Sequence, residues 1–85
     1  MSVFNIVSDV QRILFPNGDV LINVEQVENF KWMINITRQN RNEIGRVELF
    51  RDFDPEFEYV ASIFDQGPVS RRVLDNIIGA IMDRL

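Results

Sequence analysis

The chain has 85 residues, 46% of them hydrophobic, with thirteen acidic side chains against nine basic ones and a net charge of −4. It contains no histidine and no cysteine, which removes the side chains that carry most near-neutral proton transfer, thiolate attack and transition-metal binding and leaves no disulfide or zinc staple. The negative balance disfavours nucleic acid or an anionic membrane as a direct partner. A domain this short buries only about 60–65% of its unfolded surface, so oligomerisation or docking on a protein is the remaining source of stabilisation.

Taken in order, Val3, Phe4, Ile6, Val7, Val10, Ile13, Leu14 and Phe15 recur at spacings of three and four behind Ser2, an N-cap candidate, which predicts an amphipathic helix. Pro16, Asn17, Gly18 and Asp19 end it. The flanking polar residues break any signal peptide or membrane span, and a cytoplasmic location is expected.

Val20, Ile22 and Val24 alternate with polar positions, and Phe30, Trp32, Ile34 and Ile36 then form one face against Lys31, Met33, Asn35 and Thr37, so two strands are expected with a break near Glu28-Asn29. A polar run from Arg38 to Asn42 connects to a third strand from about Glu43, with Val47 and Leu49 on one side and Ile44 and Phe50 on the other. Gly45 within it suggests a bulge or a close backbone approach.

Beyond Asp52-Phe53-Asp54-Pro55, the residues Phe57, Tyr59, Ala61 and Ile63 alternate with Glu56, Glu58, Val60, Ser62 and Phe64 in a fourth strand. The last helix starts at Pro68, or at Ser70 as cap, and buries Val73, Leu74, Ile77, Ile78, Ala80, Ile81 and Leu85. Gly79 within it is expected to relieve crowding, because glycine weakens a helix. The order predicts a single two-layer α+β domain over residues 1–85, α-β-β-β-β-α, with an antiparallel meander of three to four strands and both helices on one sheet face. Its core is expected to gather Phe4, Val7, Ile13, Trp32, Ile34, Ile36, Val47, Leu49, Tyr59, Ala61, Val73 and Ile77.

No glycine-rich phosphate cradle is present, no nucleophile has a visible base, and no cofactor or metal is expected. The chemistry therefore points to a non-catalytic interaction module, with a second copy as the favoured partner. Met33, Ile44, Phe50, Val60 and Phe64, on the strand face away from the helices, are the expected contact residues, since a contiguous apolar patch marks an interface. The competing expectation is an acidic decoy for a basic nucleic-acid-binding protein. Asp52, Asp54, Glu56 and Glu58 fall at every second position, about 7 Å apart in an extended chain, which approaches the phosphate spacing of a single strand.

Overall fold

The computed structural model describes residues 2–40, 42–51 and 56–85. The elements follow as α1 (Val3–Leu14), β1 (Val20–Glu28), β2 (Lys31–Arg38), β3 (Glu43–Arg51), β4 (Phe57–Ile63) and α2 (Pro68–Arg84). All neighbouring strands pair antiparallel in the order β1-β2-β3-β4, so the sheet is a meander with β1 and β4 at its edges. Short connections make sequential antiparallel pairing the cheapest topology.

Both helices lie against one face of the sheet. From α1, the stripe Val3, Ile6, Val7 and Val10 is buried, and Phe15 closes the helix by donating its backbone N–H to the Gln11 carbonyl at 2.9 Å. Gly18 makes the following turn at φ 77°, a region closed to most L side chains. Helix α2 starts with Pro68 at N1 and Gly67 as its N-cap, where a missing N–H costs nothing. It turns Leu74, Ile77, Ile78 and Ile81 inward.

Strand pairing sets the inner face in rows. Val24, Ile34, Val47 and Ala61 form one row, and Gln26, Trp32, Leu49 and Tyr59 the next. Ile34, Ile36, Leu49, Val10 and Ile77 are shut off from solvent. Each such aliphatic side chain contributes about 1.5–3 kcal/mol relative to an exposed one.

The helices cover β1, β2 and β3 more fully than β4. Tyr59 and Ala61, expected in the core, are exposed although they share the helix-bearing face, and Phe4 and Ile13 on α1 are likewise exposed. The buried stripe of α1 is therefore narrower than its apolar arc.

Ile44 is a second correction. Strand alternation places it on the outer face, yet it is fully buried in the core. The pairing of β2 with β3 shifts between Ile36 and Thr37, which face Gly45 and Glu43. Ile44 is the extra residue of that bulge, and a bulge resets which face the neighbouring residues take.

Gly45, in the same bulge, sits where a Cβ would lie 2.6 Å from the Ser62 carbonyl oxygen and 3.3 Å from Leu74 Cδ2. Its bareness lets β4 and α2 close on β3. Gly79, by contrast, has no atom within 4 Å of a built Cβ, so it relieves no crowding.

A polar clasp joins the end of β4 to the start of α2. Ser70, buried in the first turn of α2, donates its hydroxyl to Asp65 Oδ2 at 2.7 Å and accepts from Arg38 Nη2 at 2.6 Å. Asp65 also accepts the Gly67 backbone N–H through Oδ1 at 3.0 Å. Ser70, one of two possible helix starts from the sequence, is thus a tie between strand and helix. The Ser70 hydroxyl first, and then the Gly67 N–H and the Arg38 charge, hold the Asp65 carboxyl below its ordinary range against an opposing desolvation effect.

Three outcomes are expected. Gly45→Ala should destabilise by about 1–3 kcal/mol, and Gly79→Ala should stabilise by about 0.5–1 kcal/mol, both read from urea unfolding midpoints. Because the folded-state carboxyl of Asp65 is the stronger acid, its contribution is complete above the unfolded aspartate value near about pH 4 and disappears as pH falls through the folded value. The gap in urea midpoint between wild type and Asp65→Asn should therefore be widest at neutral pH and narrow on acidification, with Ser70→Ala narrowing it further.

Candidate interaction surface

The backbone hydrogen bonds settle which groups each strand turns outward. Phe64 donates its N–H to the Ile44 carbonyl at 2.9 Å and Arg51 to the Phe30 carbonyl at 2.9 Å. Alternation along the strands then directs the N–H and C=O of Glu58, Val60 and Ser62 toward β3. Those of Phe57, Tyr59, Ala61 and Ile63 point away from the sheet at its β4 edge.

The two edges are treated differently. At β1, the Gln11 side-chain amide donates from Nε2 to the Val20 carbonyl at 2.6 Å, and its Oε1 accepts the Ile22 N–H at 2.6 Å. One carboxamide thus imitates the peptide group of an absent neighbouring strand. The pairing with β2 also shifts between Gln26 and Glu28, and Glu25 and Glu28 place charge on the same strand. Plug, bulge and charge are the ordinary defences of an exposed edge.

Edge β4 is less defended among the described residues: Gln66 donates from Nε2 to the outward Ile63 carbonyl at 3.3 Å, and Glu58 is its one charge. Its register with β3 is unbroken from Arg51–Phe57 to Gly45–Ile63, and its seven residues, Phe-Glu-Tyr-Val-Ala-Ser-Ile, contain one charge and no proline. Both sides of the strand are open to solvent: Tyr59 is 45% exposed on the inner face, and Val60 and Phe64 are 56% and 47% exposed on the outer one. An unbulged, mostly apolar, β-prone strand with outward backbone groups at Tyr59 and Ala61 is the type of edge that recruits another strand.

The expected contact residues divide accordingly. Met33, Phe50, Val60 and Phe64 lie on the outer face, whereas Ile44 does not. Glu48 stands between Met33 and Val60 in their cross-strand row and holds Lys31 in a 3.0 Å ion pair. That hydrogen bond and the Glu48 charge raise the Lys31 pKa. Arg46 donates to Asn35 Oδ1 at 3.1 Å and lies 5.7 Å from the centroid of the Phe64 ring. Polar groups thus interleave with the apolar ones across the middle of the face, while Val60 and Phe64 border the β4 edge. Tyr59 and Ala61 complete that border from the inner side; their lone signal in the sequence is the uncharged, β-prone run around them.

Of the acidic row, Glu56 and Glu58 are exposed, Glu58 on the outer face. Asp52 and Asp54 lie outside the described residues. No group of three or more acidic side chains is placed to hold a metal ion among the described residues.

One further concavity, of roughly 320 Å³, lies at the end of the sheet among Phe4, Phe30, Trp32, Arg51 and Phe57. The Arg51 guanidinium sits 5.6 Å from the Phe30 ring centroid and 5.5 Å from that of Phe57, and the Trp32 and Phe57 centroids are 5.7 Å apart. Trp32 thus packs on Phe57, and the Arg51 cation joins Phe57 to Phe30, while Phe4 and Phe30 stay exposed at the rim.

No helix among the described residues is long and apolar enough to cross a membrane. Compared with known proteins, the chain matches no family model, no curated protein and no solved structure.

Removing the β1 plug is expected to expose a second edge. Gln11→Ala should destabilise by about 1 kcal/mol and add concentration-dependent association seen by light scattering. Gln11→Glu should destabilise more, because it keeps an acceptor for the Ile22 N–H but sets a carboxylate oxygen against the Val20 carbonyl.

Proposed function

We propose that this chain is a non-catalytic protein-interaction module that acts in the cytoplasm as a homodimer joined through the β4 edge. The carrying observation is the contrast between the edges: β1 is plugged by Gln11 and broken by a bulge, while β4, held at its C-terminal end by Gln66 on the Ile63 carbonyl, runs unbulged with outward backbone groups at Tyr59 and Ala61 flanked by exposed Tyr59, Val60 and Phe64. Strand addition takes its affinity from main-chain hydrogen bonds and its specificity from alternate side chains, and β4 supplies both.

Other features support the same role. The shortness of the chain and its lack of disulfides make an added interface a source of stability. The buried hydroxyl, that of Ser70, is committed to Arg38 and Asp65 and so performs a structural task. Phe50, on β3, belongs to the outer face beside this strand, and Met33 lies one strand further in on β2.

Sedimentation velocity at micromolar concentration tests the proposal, and a dimer is expected. Ala61→Pro removes an outward N–H and should shift the protein to monomer while its far-ultraviolet circular dichroism stays that of the folded domain. A wild-type protein that is monomeric throughout this range would overturn the homodimer.

A further inference from the structure

The β4 edge also carries enough information to choose how a second copy would sit on it. We infer that two chains pair antiparallel along β4 about a two-fold axis perpendicular to the sheet and midway between their Val60 residues. The inference rests on the edge proposed above and adds its register.

An axis of this direction keeps both pairs of helices on the same side of a continuous sheet. Opposed residues of an antiparallel pair share a face, so the axis must lie level with one residue, which then opposes its own symmetry mate. Val60 is the midpoint of β4, Phe57–Ile63. An axis there pairs the whole strand with itself, with the Gln66 side chain yielding the Ile63 carbonyl to the Phe57 N–H of the second copy, and any other centre shortens the ladder.

The side chains then complement one another. Tyr59 faces Ala61 of the second copy on the inner side, a large residue against a small one where each is exposed in the single chain. Phe57 faces Ile63, apolar against apolar, and Val60 faces itself. Glu58, the one charge of the strand, faces Ser62 and so is kept away from its own symmetry mate. Centring the axis on Glu58 would oppose two carboxylates, which is destabilising.

A charge partner is waiting in the same row. Arg46 pairs with Ser62 across β3 and β4 and lies over Phe64 on the outer face. In the dimer the row reads Arg46, Ser62, then Glu58 of the second copy, with strands about 4.8 Å apart. Two extended side chains span that distance over the short serine. Within one chain Glu58 and Ser62 are four residues apart, about 13 Å along the strand, so the contact exists only between copies.

The absence of cysteine makes the register directly measurable. Opposed residues of a non-hydrogen-bonded pair have Cα atoms about 4.5 Å apart, within the range a disulfide accepts. Val60→Cys should therefore cross-link to a covalent dimer under mild oxidation, whereas Glu58→Cys and Ser62→Cys alone should not and their equimolar mixture should. In parallel, Glu58→Arg or Arg46→Glu should each weaken self-association by roughly tenfold, and the double exchange should restore most of it. A dimer that persists in sedimentation but cross-links at another position, or ignores both charge reversals, would overturn the register and leave the β4 edge standing. A monomer in every assay would overturn both.

Discussion

Any open β-sheet ends in two rows of backbone N–H and C=O groups that lack a strand to meet them, and these groups must find water, a side chain or another chain. In a domain of this size that constraint governs the rest of the architecture. Helix α1 is placed so that Gln11, on the border of its buried stripe, reaches the rim of β1 and satisfies Val20 and Ile22 with one amide. The hydrophobic stripe Val3, Ile6, Val7 and Val10 fixes the helix at the height this requires. Packing and edge protection on that side are one arrangement. On the far side the helices stop short, and β4 keeps its inner face uncovered at Tyr59 and Ala61.

Much of this architecture was legible in the alternation of residues. Period-two runs give the strands, spacings of three and four give the helices, and the chain order gives the meander, because short connections leave little other choice. Alternation says which face a side chain takes but not how far the opposing layer extends, so Tyr59, Ala61, Phe4 and Ile13 read as core and are exposed. Ile44 fails for a different reason. Parity counting assumes an unbroken ladder, and the bulge opposite Ile36 and Thr37 resets it. Gly45 was the visible trace of that break, and its need for bareness is explained by the Ser62 carbonyl and Leu74.

The candidate surface was legible only in half. Val60 and Phe64 stand out as apolar residues on an outward face, but the value of β4 as an edge is a property of topology and of bonds made elsewhere in the chain. A glutamine in an amphipathic helix looks like a solvated boundary residue, and only the position of β1 beside it turns Gln11 into a strand surrogate. Ser70 is similar, since a serine near a proline-led helix start reads as a cap and instead ties Asp65 to Arg38. Polar side chains whose partners are distant in sequence are the least readable elements of a small domain.

The Asp65 clasp bears on the entropy that any strand addition at β4 would cost. Phe64 and Asp65 both donate their backbone N–H to the Ile44 carbonyl, and Asp65 is in turn fastened to α2 and to the end of β2. The C-terminal end of β4 is therefore anchored in the single chain. A preorganised ribbon surrenders rigid-body freedom and a few rotamers on docking, but little backbone freedom, which spares it the ordering cost carried by a floppy segment.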